Sequence, residues 1–140
     1  MQESFDDIVE TFAYLDDWQD RYGYIIELGR AMPPLDDSFR IAETKVDGCA
    51  SQVWIVPRIE GIGDSARFFF DGDSDAMIVR GLIAILKSYY CGCRLNEVAR
   101  LDALGAFTRI ELDQHLTSQR SNGLRSMIAR IQSFGREQVA

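Results

Sequence analysis

The sequence predicts an α+β fold in which a small antiparallel three-stranded sheet packs against several helices. Apolar residues recur at helical spacing near both ends and in the middle of the chain, with short β-branched and aromatic runs between them. Short glycine-containing links join these runs, which favours antiparallel pairing because parallel strands need long crossovers. Since no linker or internal repeat interrupts the pattern, we expect residues 1–140 to form one domain.

Two helices are expected before the sheet. Ser4 followed by Asp7 resembles a capping box, which marks a helix start. A second helix is expected over about 21–32, and Pro33-Pro34 ends it because proline has no N–H and clashes with the preceding turn. The apolar residues after Ser4 repeat at the spacing of one buried helical face: Phe5, Ile8, Val9, Phe12 and Leu15.

The three strands are expected at 44–46, 52–56 and 67–70. The second is β-branched and aromatic, and it reaches the third through Gly61 and Gly63. The acidic stretch 71–75, D-G-D-S-D, is expected to form the end of a strand, followed by a turn and a helix N-cap. Acidic side chains suit that place because a helix N-terminus carries positive partial charge.

Helices return after the sheet. A well-buried helix is expected over 75–90 with Gly92 as its C-cap, followed by one or two short helices within 95–104. The segment 120–123, R-S-N-G, is expected to precede the last helix. The buried face of that helix is expected to comprise Leu124, Met127, Ile128, Ile131 and Phe134.

Composition excludes several classes of partner. The 15 basic and 22 acidic residues give a net charge of −7, which disfavours nucleic acid and anionic membranes because both are bound by excess Lys and Arg. No stretch reaches the roughly 18 uncharged apolar residues of a membrane span. The acidic N-terminus does not resemble a signal peptide, so we expect a cytoplasmic protein with reduced thiols.

Cys49 is the main candidate for chemistry. It stands in a connection between two expected strands, after Gly48, which tolerates unusual backbone conformations, and before the small Ala50 and Ser51. Cysteine is nevertheless among the most buried residue types. A packing cysteine, a metal ligand and a reactive thiol therefore all remain open from these residues alone.

Partners for Cys49 are scarce in the sequence. A cysteine hydrolase needs a histidine base, and the single histidine, His115, is expected to have a structural role. Cys91 and Cys93 could join Cys49 and either His115 or Asp47 in a tetrahedral zinc site. The paired C-x2-C spacing of such sites is absent, which favours two packing cysteines at a helix end.

Four stretches, in this order, resemble the SufE-type cysteine desulfuration proteins, and the likeness covers nearly the whole chain. Cys91 and Cys93 are not part of the family pattern. The four stretches are Y-I-I-E-L-G at 24–29, V-D-G-C-A-S-Q-V-W at 46–54, G-D-S-D-A-M-I-V-R-G-L at 72–82 and H-L-T-S-Q-R-S-N-G-L at 115–124.

The resemblance implies a sulfur carrier rather than an enzyme, with no cofactor or metal of its own. Proteins of this type take persulfide sulfur from a pyridoxal-phosphate cysteine desulfurase, of the SufS or CsdA kind, and stimulate it. They relay the sulfur to an iron–sulfur scaffold complex of the SufBCD kind, and their fold is similar to that of IscU-type scaffolds. The alternative is a zinc- or iron-binding scaffold that uses Cys49, Cys91 and Cys93.

The resemblance also suggests which residues form the site. Cys49 matches the persulfide acceptor, and Gly48 before it is a natural hinge for a loop that shelters or presents the thiol. Arg120 is expected to contact the thiolate or a partner. Asp75 is expected to contact the loop or a partner.

Overall fold

The computed structural model describes residues 3–139 and has an α+β architecture, with helices packed on a small antiparallel sheet. Helix α3 is central, because it contacts α1, α2 and strand β2. Short 3₁₀ helices lie at Asp37–Phe39, Gly63–Ser65 and Leu95–Glu97. The main elements are α1 (Phe5–Tyr14), α2 (Trp18–Ala31), β1 (Val53–Glu60), β2 (Arg67–Ser74), α3 (Met77–Tyr90), α4 (Ala103–Arg109), α5 (Leu112–His115) and α6 (Ser118–Val139).

The prediction of three strands was wrong, because the described residues contain only two, β1 and β2, paired antiparallel over their full length. The expected strand at 44–46 makes only an isolated bridge between Lys45 and Trp54. Its ladder cannot extend because the chain turns immediately before it. The N–H groups of Thr44 and Lys45 both donate to the carbonyl of Ile41.

The strand end expected in the acidic stretch 71–75 is longer than predicted, since β2 continues to Ser74 and leaves only Asp75 beyond it. No side chain caps the first turn of α3; instead Ser74 Oγ accepts a hydrogen bond from the N–H of Ala76. Asp73 is fully buried, and its carboxylate bonds to the guanidinium groups of Arg40 and Arg80. Charge pairing within the core therefore holds this carboxylate.

The N-terminal helices follow the sequence prediction. Ser4 and Asp7 form the capping box, with Asp7 N–H donating to Ser4 Oγ at 3.1 Å. Helix α2 begins at Trp18, earlier than expected, because Asp17 caps it by accepting from Gln19 N–H at 2.6 Å. It ends at Ala31, before the two prolines, as predicted.

The last helix begins earlier than predicted, so Arg120 lies in its first turn rather than before it. Thr117 supports this start, because its hydroxyl accepts from Arg120 N–H at 3.3 Å and its carbonyl accepts from Ser121 N–H at 2.9 Å. The predicted apolar face is buried at Leu124, Met127, Ile128 and Ile131, while Phe134 is partly buried.

Candidate functional site

Cys49 lies in a five-residue loop, 47–51, whose two ends are held at its base. Val46 N–H donates to the carbonyl of Val53 at 2.8 Å, and Gln52 N–H donates to the carboxylate of Asp75 at 3.0 Å. Among the described residues, positions 47–51 make no backbone–backbone hydrogen bond. Hydrogen bonds therefore fix the two ends of the loop, whereas residues 47–51 between them have no backbone–backbone hydrogen bonds to hold them.

Gly48 adopts the left-handed backbone conformation that glycine tolerates, with φ of 88°. It also lies close against α6, since a Cβ at this position would stand 2.5 Å from Ser126 Oγ. The backbone conformation therefore disfavours a larger residue before Cys49, and a side chain there would also have to displace the hydroxyl of Ser126.

The thiol of Cys49 is half-buried against α6, and its Sγ donates to the carbonyl of Gly123 at 3.6 Å. Burial raises the pKa of Cys49, and the nearby charge of Asp47 raises it further. Both effects oppose ionisation of the thiol in the resting protein, and positive charge brought close to it would favour the thiolate.

Cys49 and Arg120 line the same cavity, which has a volume of about 310 Å³. Arg120 is exposed and makes no ion pair with any carboxylate in the described part of the chain. The cavity thus combines a thiol with a guanidinium group that is available to an anion. Its apolar wall consists of Val53, Val79, Leu82, Leu124 and Met127, and its polar rim includes Thr117, Ser118 and Gln119.

Asp75 lies at the base of the loop and does not line the cavity. Its carboxylate accepts from the N–H of Gln52, and its own N–H donates to the carbonyl of Gln52 at 3.3 Å. Asp75 therefore ties the end of the cysteine loop to the end of β2.

His115 packs away from this cavity. Its ring stacks on Trp18 with 3.8 Å between the ring centroids, and its carbonyl accepts from the hydroxyl of Tyr22. It does not line the Cys49 cavity. Its contacts agree with the structural role expected from the sequence.

Cys91 and Cys93 flank Gly92 in the turn after α3, outside the Cys49 cavity. The Sγ of Cys91 donates to the carbonyl of Phe70 at 3.7 Å. Burial raises the pKa of Cys91, and it raises that of Cys93 to about 11. Within residues 3–139, no group of three or more His, Cys, Asp or Glu side chains is arranged to hold a metal ion.

Two loop contacts were missed from the sequence, those of Gly123 and Ser126 on α6. Ser126 Oγ donates to the carbonyl of Gly48 at 3.5 Å, across 78 positions of the chain. No local pattern indicates such a contact.

In the described part of the chain, no helix is long and apolar enough to cross a membrane.

Known proteins resemble this chain over most of its length. A family model described as the SufE Fe-S metabolism associated domain matches residues 6–134. An uncharacterized SufE-like protein of Rhizobium meliloti is 52% identical over 130 residues, covering 93% of both proteins. A second, from Rhizobium etli, is 50% identical over 137 residues, covering 98% of this chain and 93% of that protein.

The fold also matches a solved structure. The solution structure of a hypothetical protein from Thermus thermophilus superposes with a TM-score of 0.70, covering 96% of this chain and 95% of that chain. At 20% sequence identity this match supports the fold alone. From the family match and the two relatives, this chain belongs to the SufE family, associated with iron–sulfur metabolism.

Proposed function

We propose that this protein accepts persulfide sulfur on Cys49 from a pyridoxal-phosphate cysteine desulfurase and passes it to an iron–sulfur cluster scaffold. The observation that carries the proposal is the pairing of Cys49 with Arg120 around one cavity. Of the three cysteines, only Cys49 lines it. We place this relay in the cytoplasm and regard the protein as a carrier rather than an enzyme.

The transfer is a thiol–persulfide exchange without net oxidation. The Cys49 thiolate attacks the terminal sulfur of the desulfurase persulfide, a new S–S bond forms on Cys49, and the desulfurase cysteine leaves as a thiolate. Removing that sulfur frees the desulfurase cysteine for its next turnover. The carrier therefore stimulates the enzyme that loads it.

The raised pKa of Cys49 supports activation of the thiol by the partner. A thiol is a weak nucleophile until it ionises, and burial and Asp47 both oppose ionisation in the resting protein. A partner site that supplies positive charge when the loop enters it overcomes both effects. The isolated carrier then stays unreactive between encounters.

Arg120 and Asp75 take different parts in this proposal. Arg120, on the cavity wall, stabilises the anionic persulfide of Cys49 after the loop returns. Asp75 holds the end of the loop through Gln52, while its exposed position also offers a carboxylate to the partner. Gly48 supplies backbone freedom for the loop to move.

Other functions have less support. A cysteine hydrolase needs a base beside its thiol, and His115 is stacked on Trp18 outside the cavity. A metal scaffold built from all three thiols needs them together, but Cys91 and Cys93 lie in the turn after α3. A fold shared with IscU-type scaffolds remains a prediction.

The test is sulfur transfer from a purified cysteine desulfurase supplied with cysteine. Mass spectrometry should find one added sulfur atom on Cys49, and Cys49→Ser should abolish both the loading and the stimulation of the desulfurase. A Cys91→Ser/Cys93→Ser double variant is the matched control and should load normally. Full stimulation by Cys49→Ser, or loading on Cys91 or Cys93 instead, contradicts the proposal.

Relay to the scaffold needs a separate measurement. Loaded carrier, freed of desulfurase, is mixed with a scaffold complex, ferrous iron and a reductant that supplies the two electrons needed to convert persulfide sulfur to sulfide, and cluster formation is followed by visible absorption. Loaded wild-type protein should support cluster formation, whereas unloaded protein should not. Sulfur that stays on Cys49 under these conditions contradicts the relay but leaves the acceptor role intact.

A further inference from the structure

We infer that Arg130 is the fixed anchor of the cysteine loop, so that residues 47–51 peel away from α6 while the chain up to Val46 stays in place. The inference deepens the proposed sulfur-acceptor function, because it states which part of the protein moves when Cys49 is presented. It assigns a positioning role to a residue outside the cavity.

The inference starts from one face of α6. Gly123, Ser126 and Arg130 are spaced at i, i+3 and i+7, so they lie along one side of the helix. Each makes a hydrogen bond to the cysteine loop or to the chain that leads into it. The chain that enters the loop therefore runs along α6 in the opposite direction to the helix.

The contacts at the tip of the loop are weak. Cys49 Sγ donates to the carbonyl of Gly123 at 3.6 Å, and a thiol is a poor donor. Ser126 Oγ donates to the carbonyl of Gly48 at 3.5 Å, longer than a typical bond between oxygens. Breaking both leaves no buried charge without a partner.

The contacts at the root of the loop are stronger. Arg130 Nη1 donates to the carbonyl of Lys45 at 3.1 Å, and its Nη2 donates to the carbonyl of Glu43. Both bonds are solvent-exposed, as is that of Ser126, but each carries the charge of the guanidinium group and is therefore stronger than a neutral bond in the same setting. The bond from Val46 N–H to the carbonyl of Val53 then secures the next residue at 2.8 Å.

These differences in strength decide where the loop bends. The weak bonds at Cys49 and Gly48 break first, and the two bonds of Arg130 stop the separation at Val46. The other end of the moving segment is held at Gln52 by Asp75. The moving unit is therefore 47–51, and Gly48, next to its first residue, supplies the backbone freedom for the bend at that end.

The test replaces the anchor and compares two sites in the same molecule. In Arg130→Met, hydrogen exchange at the amide of Val46 and alkylation of Cys49 should both accelerate about tenfold, the factor expected when the two solvent-exposed hydrogen bonds of Arg130 are lost together. Arg125→Met is the matched control. Arg125 is exposed on the same helix, and its side chain makes no hydrogen bond or ion pair within residues 3–139.

A second variant separates the tip from the root. Ser126→Ala removes only a tip contact, so it should accelerate alkylation of Cys49 and leave the amide of Val46 protected as in the wild type. Alkylation of Cys91 is the internal reference, because general loosening of the fold accelerates all thiols together. Arg130→Lys should restore part of the protection, since an ammonium group still reaches one carbonyl.

Three results overturn the inference: unchanged Val46 exchange in Arg130→Met, equal acceleration at Cys91 and Cys49, or loss of Val46 protection in Ser126→Ala. None of these measurements requires a desulfurase. Failure of the sulfur-acceptor function therefore shows in the transfer assay, and failure of the anchor shows in exchange and alkylation.

Discussion

Replacing Asp73 by asparagine should destabilise the protein strongly, because its buried carboxylate joins two arginines to the sheet. The side chain of Asp73 is 1% exposed. Its Oδ2 accepts from Arg40 at 2.6 Å and from Leu35 N–H at 2.9 Å, and its Oδ1 accepts from Arg80 and from Ser74 N–H. Asparagine keeps the shape but removes the charge and half of the accepting capacity.

The size of the loss follows from burial. Removing one member of a buried ion pair costs about 3–5 kcal/mol, because the remaining charge is left uncompensated. Arg80 is the more affected guanidinium, since its side chain is 12% exposed whereas that of Arg40 is 32% exposed. For a chain of this size the loss corresponds to a fall in Tm of roughly 10–20 °C.

Urea denaturation followed by circular dichroism at pH 7 measures this loss, with Asp71→Asn as the matched control. Asp71 is on the same strand, but its side chain is 51% exposed and its ion pairs with Lys87 and Arg58 are 3.3 and 3.6 Å long. Exposed pairs contribute about 0–1 kcal/mol. If Asp73→Asn lowers the free energy of unfolding no more than Asp71→Asn does, the carboxylate of Asp73 does not join the two arginines to the sheet as described.

The pH dependence gives a second check. Burial pushes the pKa of Asp73 upward, but hydrogen bonds from the N–H groups of Leu35 and Ser74 and the charge of Arg80 outweigh it, so the pKa is lowered. The stabilisation is fully present above the ordinary Asp pKa of about 3.9 and is lost as pH falls through the lowered value. The stability gap between wild type and Asp73→Asn should therefore shrink below about pH 4; a constant gap contradicts the assignment.

Two further predictions concern helix packing and the thiol. Gly81→Ala should lower the free energy of unfolding, measured by urea denaturation, by about 1–3 kcal/mol, because the added Cβ would collide with the carbonyl oxygen of Ile25. Gly23→Ala, with open space around its Cβ, should raise the free energy of unfolding by about 1 kcal/mol. Equal effects of the two substitutions contradict the close packing of Gly81 against Ile25. Asp47→Asn should lower the pKa of Cys49 because it removes a nearby negative charge, so the pH midpoint of alkylation should fall; an unchanged midpoint shows that burial alone raises the pKa.

Features that depend on neighbouring residues were predictable from the sequence. Ser4 and Asp7 form the capping box because both its bonds close within one helical turn. The prolines end α2 through the geometry of proline itself. The loop around Cys49 likewise follows from Gly48 and from the β-branched run that comes next.

Features that depend on contacts between distant segments were not predictable. The segment 44–46 has strand-forming residues, yet a turn at Ile41 limits its pairing to one bridge. Asp73 was expected within the acidic stretch that leads into a helix N-cap, and its buried ion pair was missed because its partner Arg40 is 33 positions away. Its burial follows from the packing of these two segments against each other.

By itself, the sequence determined the long helices, the pairing of β1 with β2, the cysteine loop and the ordered motifs that resemble the SufE family, because periodicity, capping and turn chemistry act over a few residues. Only the tertiary structure decided that Arg120 shares a cavity with Cys49 and that α6 holds the loop through Gly123, which is 74 positions from Cys49. Contacts across such separations depend on how the helices pack on the sheet, and packing is a property of the whole chain.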